Sequence, residues 1–174
     1  MSDRRDRYGL ILPALSIVLA AGYPFAAHLP LAPAVAIGWK GACVGLLALW
    51  AWLEARDIDG RLLAMALTLG ALGDILLEIV FTTGALAFMA GHIVAIWLYL
   101  RNRRDRLTIS QRLLGLLVAP LTAGAAYLLP SDPAMAPGVA LYGLVLGLMA
   151  AAAWSSSFPR YRVGLGAMLF VLSD

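Results

Sequence analysis

The stretch from Leu67 to His92 reads LTLGALGDILLEIVFTTGALAFMAGH, two apolar runs joined by a few polar residues. Neither run alternates apolar and polar residues as a membrane β-strand does. Each run belongs to a longer apolar segment of the length that crosses a bilayer as a helix. Asp74, Glu78 and His92 interrupt this apolar sequence. The stretch therefore predicts two membrane helices with ionisable groups inside them.

The composition extends this prediction to the whole chain of 174 residues. Of these residues 62% are hydrophobic and 13% are charged, and the mean hydropathy is +0.86. A soluble domain carries about a quarter charged residues, and a small one cannot bury so much apolar surface. A soluble enzyme, a nucleic-acid-binding protein and a disordered chain are excluded. At about 20 residues a span, the chain holds roughly seven spans and no soluble domain.

We therefore predict an all-α protein, a polytopic transmembrane helix bundle formed by residues 1–174 as a single domain. Charged and proline-rich connectors set the boundaries of the spans. The predicted spans are Tyr8 to Ala27, Pro33 to Leu53, Leu62 to Val80, Gly84 to Leu100, Leu113 to Leu129, Gly138 to Trp154 and a seventh that begins near Val163.

The basic residues predict the orientation of these spans. Twelve of the thirteen lie in every second connector, namely Arg4, Arg5, Arg7, Arg56, Arg61, Arg101, Arg103, Arg104, Arg106, Arg112, Arg160 and Arg162. The other connectors, around Leu31, Thr82 and Ser131, contain none. By the positive-inside rule we expect an integral protein of a bacterial inner (plasma) membrane with a cytoplasmic N-terminus.

Three features of the sequence have a second interpretation. The N-terminus is similar to a signal peptide that ends in small residues near Ala26 and Ala27, although it also begins a regular multi-span pattern. The cluster from Arg101 to Arg112 is typical of a cytoplasmic anchor, and such clusters also bind anionic lipid or nucleic acid. The single cysteine, Cys43, excludes an intramolecular disulfide and is interpreted as a small packing residue.

Five ionisable residues are predicted at membrane depth: Lys40, Asp74, Glu78, His92 and Asp174. Each costs on the order of a few kcal/mol in hydrocarbon. The helical rise places Asp74 and Asp174 about 20 Å from the cytoplasmic face, and Lys40 and His92 about 10 to 12 Å from the outer face. All five then converge on the outer half of the bilayer, which predicts a shared polar cavity.

Each polar residue also has a purely structural interpretation. Asp74 can pair with Lys40 or an indole N–H, and Glu78 can extend to the outer interface. His92 can join two helices by a hydrogen bond, and Tyr142 can be an interfacial aromatic residue. Lys40 is interpreted as the counter-charge of a carboxylate, with a phosphate head group as the alternative ligand.

These residues resemble the signature of the lysoplasmalogenase, or YhhN-like, family of multipass membrane proteins. The resemblance covers most of the chain and is strongest at about 65 to 100 and 163 to 174. Its motifs are Gly73-Asp74, Phe88 to His92, Tyr142 with Met149, Lys40, and the closing Ser173-Asp174. Gly41 follows Lys40 where the family often has proline. Members usually have eight spans, so we expect this chain to be part of a longer protein.

The resemblance implies hydrolysis of the vinyl ether of lysoplasmalogens to a fatty aldehyde and a glycerophospho-base. Protonation of the alkene gives an oxocarbenium ion, so one carboxyl must hold a proton while another carboxylate stabilises the cation. Asp74 and Asp174 fit this catalytic pair. Lys40, Glu78, His92 and Tyr142 would support the pair or hold the lysophospholipid substrate. We expect no cofactor and no metal.

Two other classes of function are compatible with the same residues. Carboxylates and histidines inside a membrane often form relays in transporters and proton-coupled channels. The sequence lacks the inverted repeats that such transporters often contain. The third possibility is a structural or lipid-binding helix bundle.

Overall fold

The structure is a computed structural model that describes residues 9–26 and 28–174. In chain order its helices are α1 (Ile11–Ala26), α2 (Pro33–Glu54), α3 (Ile58–Leu77), α4 (Phe81–Arg101), α5 (Ile109–Leu128), α6 (Ala136–Ser155) and α7 (Leu165–Ser173). A π-helical turn, Arg160–Gly164, precedes α7. These described ranges contain no strand, so the predicted all-α architecture is confirmed.

Five of the helices, α2 to α6, are long and apolar enough to cross a membrane. They contain 20 to 22 residues, which matches the thickness of a hydrocarbon core. The two other helices are shorter, with 16 residues in α1 and 9 in α7. Arg4, Arg5 and Arg7, and the predicted limits of the first span at Tyr8 and Ala27, lie outside the described residues.

Two helices begin about a turn before the predicted spans because polar residues cap them. The Asp57 carboxylate accepts a hydrogen bond of 2.7 Å from the Gly60 N–H, so α3 begins at Ile58 instead of Leu62. A capping box of Thr108 and Gln111 starts α5 at Ile109, before the predicted Leu113. Hydropathy detects the apolar part of a helix, whereas caps are polar and precede it.

The described chain divides into two compact units, and the boundary falls within α4. The first unit extends to Val94, and there α1 packs on α2 and α2 packs on α3. Side chains join these helices: Trp39 Nε1 donates to the Leu19 carbonyl at 2.9 Å, and Trp52 Nε1 donates to Thr68 Oγ1 at 3.0 Å. Ser16 Oγ donates to the carbonyl of Cys43.

The second unit, Ala95–Asp174, is organised around α6. Helix α5 packs on α6 through small residues: a Cβ added at Gly147 would lie 2.7 Å from the Cα of Ala119. Small residues of this kind let helix backbones approach closely in membranes. On another side, α6 packs on the π-helical turn and α7, with Met149, Ala153 and Ala167 in the buried core. The prediction of one domain over residues 1–174 stays a prediction.

Candidate functional site

Asp74 lies in the last two turns of α3, next to a close contact with α4. The preceding residue, Gly73, is buried, and a Cβ added there would lie 2.6 Å from the ring of Phe88. A larger residue at position 73 would therefore displace the ring. Asp74 itself is half-buried. The Gly73-Asp74 pair thus combines a surface for an aromatic ring with a carboxylate one residue further on.

Phe88 continues this arrangement to His92, one turn further along α4. The two rings stack with centroids 6.4 Å apart and planes inclined by 22°. His92 is 6% exposed, which makes it one of the buried polar residues of the described chain. Gly91 beside it faces the Ala66 carbonyl on α3. The Phe88 to His92 motif therefore places both rings on one face of α4, with Phe88 against Gly70 and Gly73 of α3.

Lys40 and Glu78 form an ion pair that joins α2 to the end of α3. The Nζ to Oε1 distance is 2.8 Å, and the side chains are 28% and 43% exposed, respectively. The charge of Asp74 also acts on the Lys40 ammonium. A Cβ added at Gly41 would lie 2.5 Å from Cγ1 of Ile75, so glycine allows this close approach of α2 to α3. The ammonium group of Lys40 is therefore paired with Glu78 and lies within the electrostatic influence of Asp74.

In the second unit, the Tyr142 hydroxyl donates a hydrogen bond to Oδ2 of Asp174. Tyr142 is a half-buried residue of α6, and Asp174 is the exposed C-cap of α7. The Asp174 N–H donates to the Phe170 carbonyl at 3.2 Å, which fixes its backbone. The hydrogen bond from Tyr142 orients the carboxylate as well.

The structure therefore places the six predicted site residues in two groups. Lys40, Asp74, Glu78 and His92 belong to the first unit, and Tyr142 and Asp174 belong to the second. The prediction that Asp74 and Asp174 face one cavity stays a prediction. Among the described residues, no group of three or more histidines, cysteines and carboxylates is arranged to hold a metal ion.

Sequence reasoning missed a polar network at one end of the second unit. Gln111 is 1% exposed and donates to the Trp154 carbonyl at 3.3 Å, and Ser156 is fully buried. Arg104 Nε donates to the Ser156 carbonyl at 2.6 Å. The spacing of Thr108 and Gln111 is a capping-box pattern and was the available signal for Gln111. Arg104 cannot be told from its arginine neighbours by sequence.

A family model described as the YhhN family matches residues 35–174, which include all six site residues. The chain belongs to the YhhN family. This is the family of lysoplasmalogenases, so the resemblance found in the sequence is confirmed. Proteins of the YhhN family are associated with hydrolase activity. With its five apolar helices, this YhhN chain is an integral membrane protein. Neither a curated protein nor a solved structure matches it.

Proposed function

We propose that this protein is a membrane-embedded lysoplasmalogenase. It would cleave the vinyl ether of lysoplasmenylethanolamine or lysoplasmenylcholine by acid–base catalysis with Asp74 and Asp174. The observation that carries the proposal is the YhhN match, which spans both aspartates. Two local contacts add support. Lys40 is paired with Glu78, one helical turn beyond Asp74, and Tyr142 is hydrogen-bonded to Asp174.

The chemistry of a vinyl ether explains why two carboxyl groups are required. One carboxyl donates its proton to the alkene carbon remote from the ether oxygen, which leaves an oxocarbenium ion. Water adds to the cationic carbon and gives up a proton to the second carboxylate. The resulting hemiacetal loses the glycerol oxygen as an alcohol and becomes the aldehyde, with net consumption of one water. Two carboxyl groups in different protonation states are the usual solution for such a cation.

The remaining site residues would act on the substrate or on the carboxyl groups. Tyr142 would hold the Asp174 carboxylate in one orientation through its hydrogen bond. Lys40 is already paired with Glu78, so its role would be to balance the carboxylates of α3. The phosphate of the substrate would then compete with Glu78 for Lys40. His92 would position Phe88 and the backbone around Gly73.

The decisive experiment follows lysoplasmalogen turnover by the full chain in detergent prepared with D₂O. The mechanism predicts an aldehyde with one deuteron on the carbon next to the carbonyl, because the acid protonates that carbon. A saturated alkyl ether of the same chain length should not react. The same measurement is made on the Asp74→Asn and Asp174→Asn variants. Asp105→Asn is their matched control, since Asp105 is an exposed carboxylate in the connector after α4.

A transporter predicts a different result from the same preparation. The wild type would then release no aldehyde, and vesicles containing it would show a proton-linked flux that depends on Asp74. Aldehyde without deuterium on that carbon would instead contradict protonation of the alkene.

The proposed location is a bacterial inner membrane with a cytoplasmic N-terminus. Reporter fusions after Arg104 and after Ser131 should report opposite sides, with Arg104 cytoplasmic, because arginines occur only in every second connector. A report of the same side for both would contradict the proposed arrangement of spans.

A further inference from the structure

Five arginines occupy the end of the second unit where α4 leads into α5 and α6 leads into α7. We call this surface the arginine face; it consists of Arg103, Arg106, Arg112, Arg160 and Arg162. All except the half-buried Arg160 are exposed. The proposed hydrolysis uses none of them.

Hydrogen bonds hold the two connectors of this surface side by side. The Ser157 N–H donates to the Asn102 carbonyl at 2.6 Å, and the Arg104 N–H donates to the Ser155 carbonyl at 3.2 Å. The Arg104 guanidinium completes the junction by donating to the carbonyls of Ser156, at 2.6 Å, and Phe158, at 3.2 Å. Arg104 is therefore a structural residue, and these hydrogen bonds hold together the two connectors that the arginine face spans.

The guanidinium groups of the arginine face are available for an external anion. Within the described residues, none of the five forms an ion pair. The Arg160 guanidinium lies over the Trp154 ring, 5.8 Å from its centroid, a cation–π contact that restricts its orientation. Only one carboxylate, Asp105, occurs in either connector. The surface therefore has a large excess of positive charge.

The apolar surface next to these arginines indicates the kind of anion. Arg112 lies on the first turn of α5, and Leu116 follows it on the same helix face. Leu113 and Leu116 are 54% and 71% exposed. A phospholipid can contact both parts of this surface, with its phosphate at the arginine and its acyl chains along the exposed leucines. A nucleic acid has phosphates for the arginines but no apolar chain for the leucines.

We propose that the arginine face binds the phosphate of an anionic phospholipid, with guanidinium groups contributed by both connectors. Guanidinium groups suit this ligand because their planar donors match phosphate oxygens in pairs. Such a site fixes a lipid at the junction of α4–α5 with α6–α7. This lipid site shares no residue with the proposed catalytic site. A negative result for either proposal would therefore leave the other unaffected.

The test uses the full chain reconstituted in vesicles of phosphatidylcholine with a minor share of phosphatidylglycerol. After extraction in mild detergent, mass spectrometry compares the ratio of the two lipids retained by the protein with the ratio in the vesicles. We expect the wild type to retain phosphatidylglycerol preferentially. Arg106→Gln combined with Arg162→Gln should lower this enrichment by up to about fivefold for each arginine. Both side chains are exposed, so the fold should be unaffected.

Arg56→Gln combined with Arg61→Gln is the matched control, because Arg56 lies in the connector before α3 and Arg61 lies in the first turn of α3, both in the first unit. An equal loss of enrichment in the control pair would overturn the proposal, since any basic connector would then suffice. Unchanged enrichment in the Arg106 and Arg162 variant would also overturn it. Two competitors test the ligand: a single-stranded oligonucleotide or glycerophosphoglycerol that displaced the lipid at matched ionic strength would identify a different partner.

Discussion

The two aspartates assigned to catalysis have different surroundings. Asp74 is half-buried within the 20-residue helix α3, beside the Gly73 contact with Phe88 and close to the charge of Lys40. Asp174 is exposed at the end of the nine-residue helix α7 and is oriented by Tyr142. Close packing at Gly73 surrounds the helix segment that carries Asp74, whereas a side-chain hydrogen bond orients Asp174.

This difference implies that substitutions around the two residues should separate stability from activity. Changes near Asp74 alter helix packing and should affect both quantities. Changes near Asp174 remove a polar contact between α6 and α7 and should lower activity more than stability.

The largest effect is expected from amide replacement of either aspartate. Asp74→Asn and Asp174→Asn should each lower aldehyde release by about 10²- to 10⁴-fold, because an amide neither donates an acidic proton nor carries negative charge. The thermal unfolding midpoint should fall for Asp74→Asn, which removes a charge near Lys40. It should change little for Asp174→Asn, because the amide oxygen can still accept the hydrogen bond from Tyr142. A fall as large as that of Asp74→Asn would contradict the contrast.

Glycine substitutions compare the packing of the two helices that carry the aspartates. Gly73→Ala should lower the unfolding free energy by about 1 to 3 kcal/mol, because the new Cβ would overlap the Phe88 ring. Gly166→Ala in α7 is the matched control, since no atom lies within 4 Å of a Cβ there. Its helix should gain up to about 1 kcal/mol. Equal stability of the two variants in detergent denaturation would contradict the close contact at Gly73.

Removal of the Tyr142 hydroxyl tests the orientation of Asp174. Tyr142→Phe should lower the rate of aldehyde release about tenfold, equivalent to about 1.4 kcal/mol of transition-state stabilisation, because the Asp174 carboxylate loses the hydrogen bond that orients it. The free energy of unfolding should fall by about 0.5 to 1.5 kcal/mol, the usual contribution of one hydrogen bond. Tyr127→Phe, an exposed tyrosine of α5, serves as control. An unchanged rate in Tyr142→Phe would show that the Tyr142 hydroxyl does not contribute to the reaction.

The smallest effect is expected from the ion pair of α2 and α3. A double-mutant cycle of Lys40→Met and Glu78→Gln should give a coupling of about 0.5 to 1 kcal/mol, because both side chains are partly exposed. Glu78→Gln alone should reduce aldehyde release less than Asp74→Asn. A coupling near zero would show that the pair does not stabilise the helix contact.

Much of the fold follows from hydropathy, because apolar length and charged connectors directly reflect the membrane. The α2 helix begins at the predicted Pro33, and the α6 helix starts two residues before the predicted Gly138. Polar caps precede the apolar runs, which explains why α3 and α5 begin earlier than predicted. The ionisable residues inside the spans stood out for the same reason, since the membrane disfavours them.

The pairing of those residues could not be predicted. Lys40 could have paired with either carboxylate of α3, and the choice of Glu78 depends on how α2 and α3 approach at Gly41. Helical rise gives depth but not rotation, so it left the partner of Asp174 undetermined. Gln111 was missed because a polar residue near a helix start is usually solvated, whereas here it contacts the Trp154 carbonyl.

We propose that Asp74 and Asp174 act together on one bound vinyl ether. The most direct test is single-turnover aldehyde release by the wild type, the two Asn variants and the double Asn variant in the same detergent. Residues that act as a unit have strongly non-additive effects. We predict that the double variant is no slower than the slower single variant. A double variant whose loss equals the product of the two single losses, or single variants as fast as the wild type, would contradict the account.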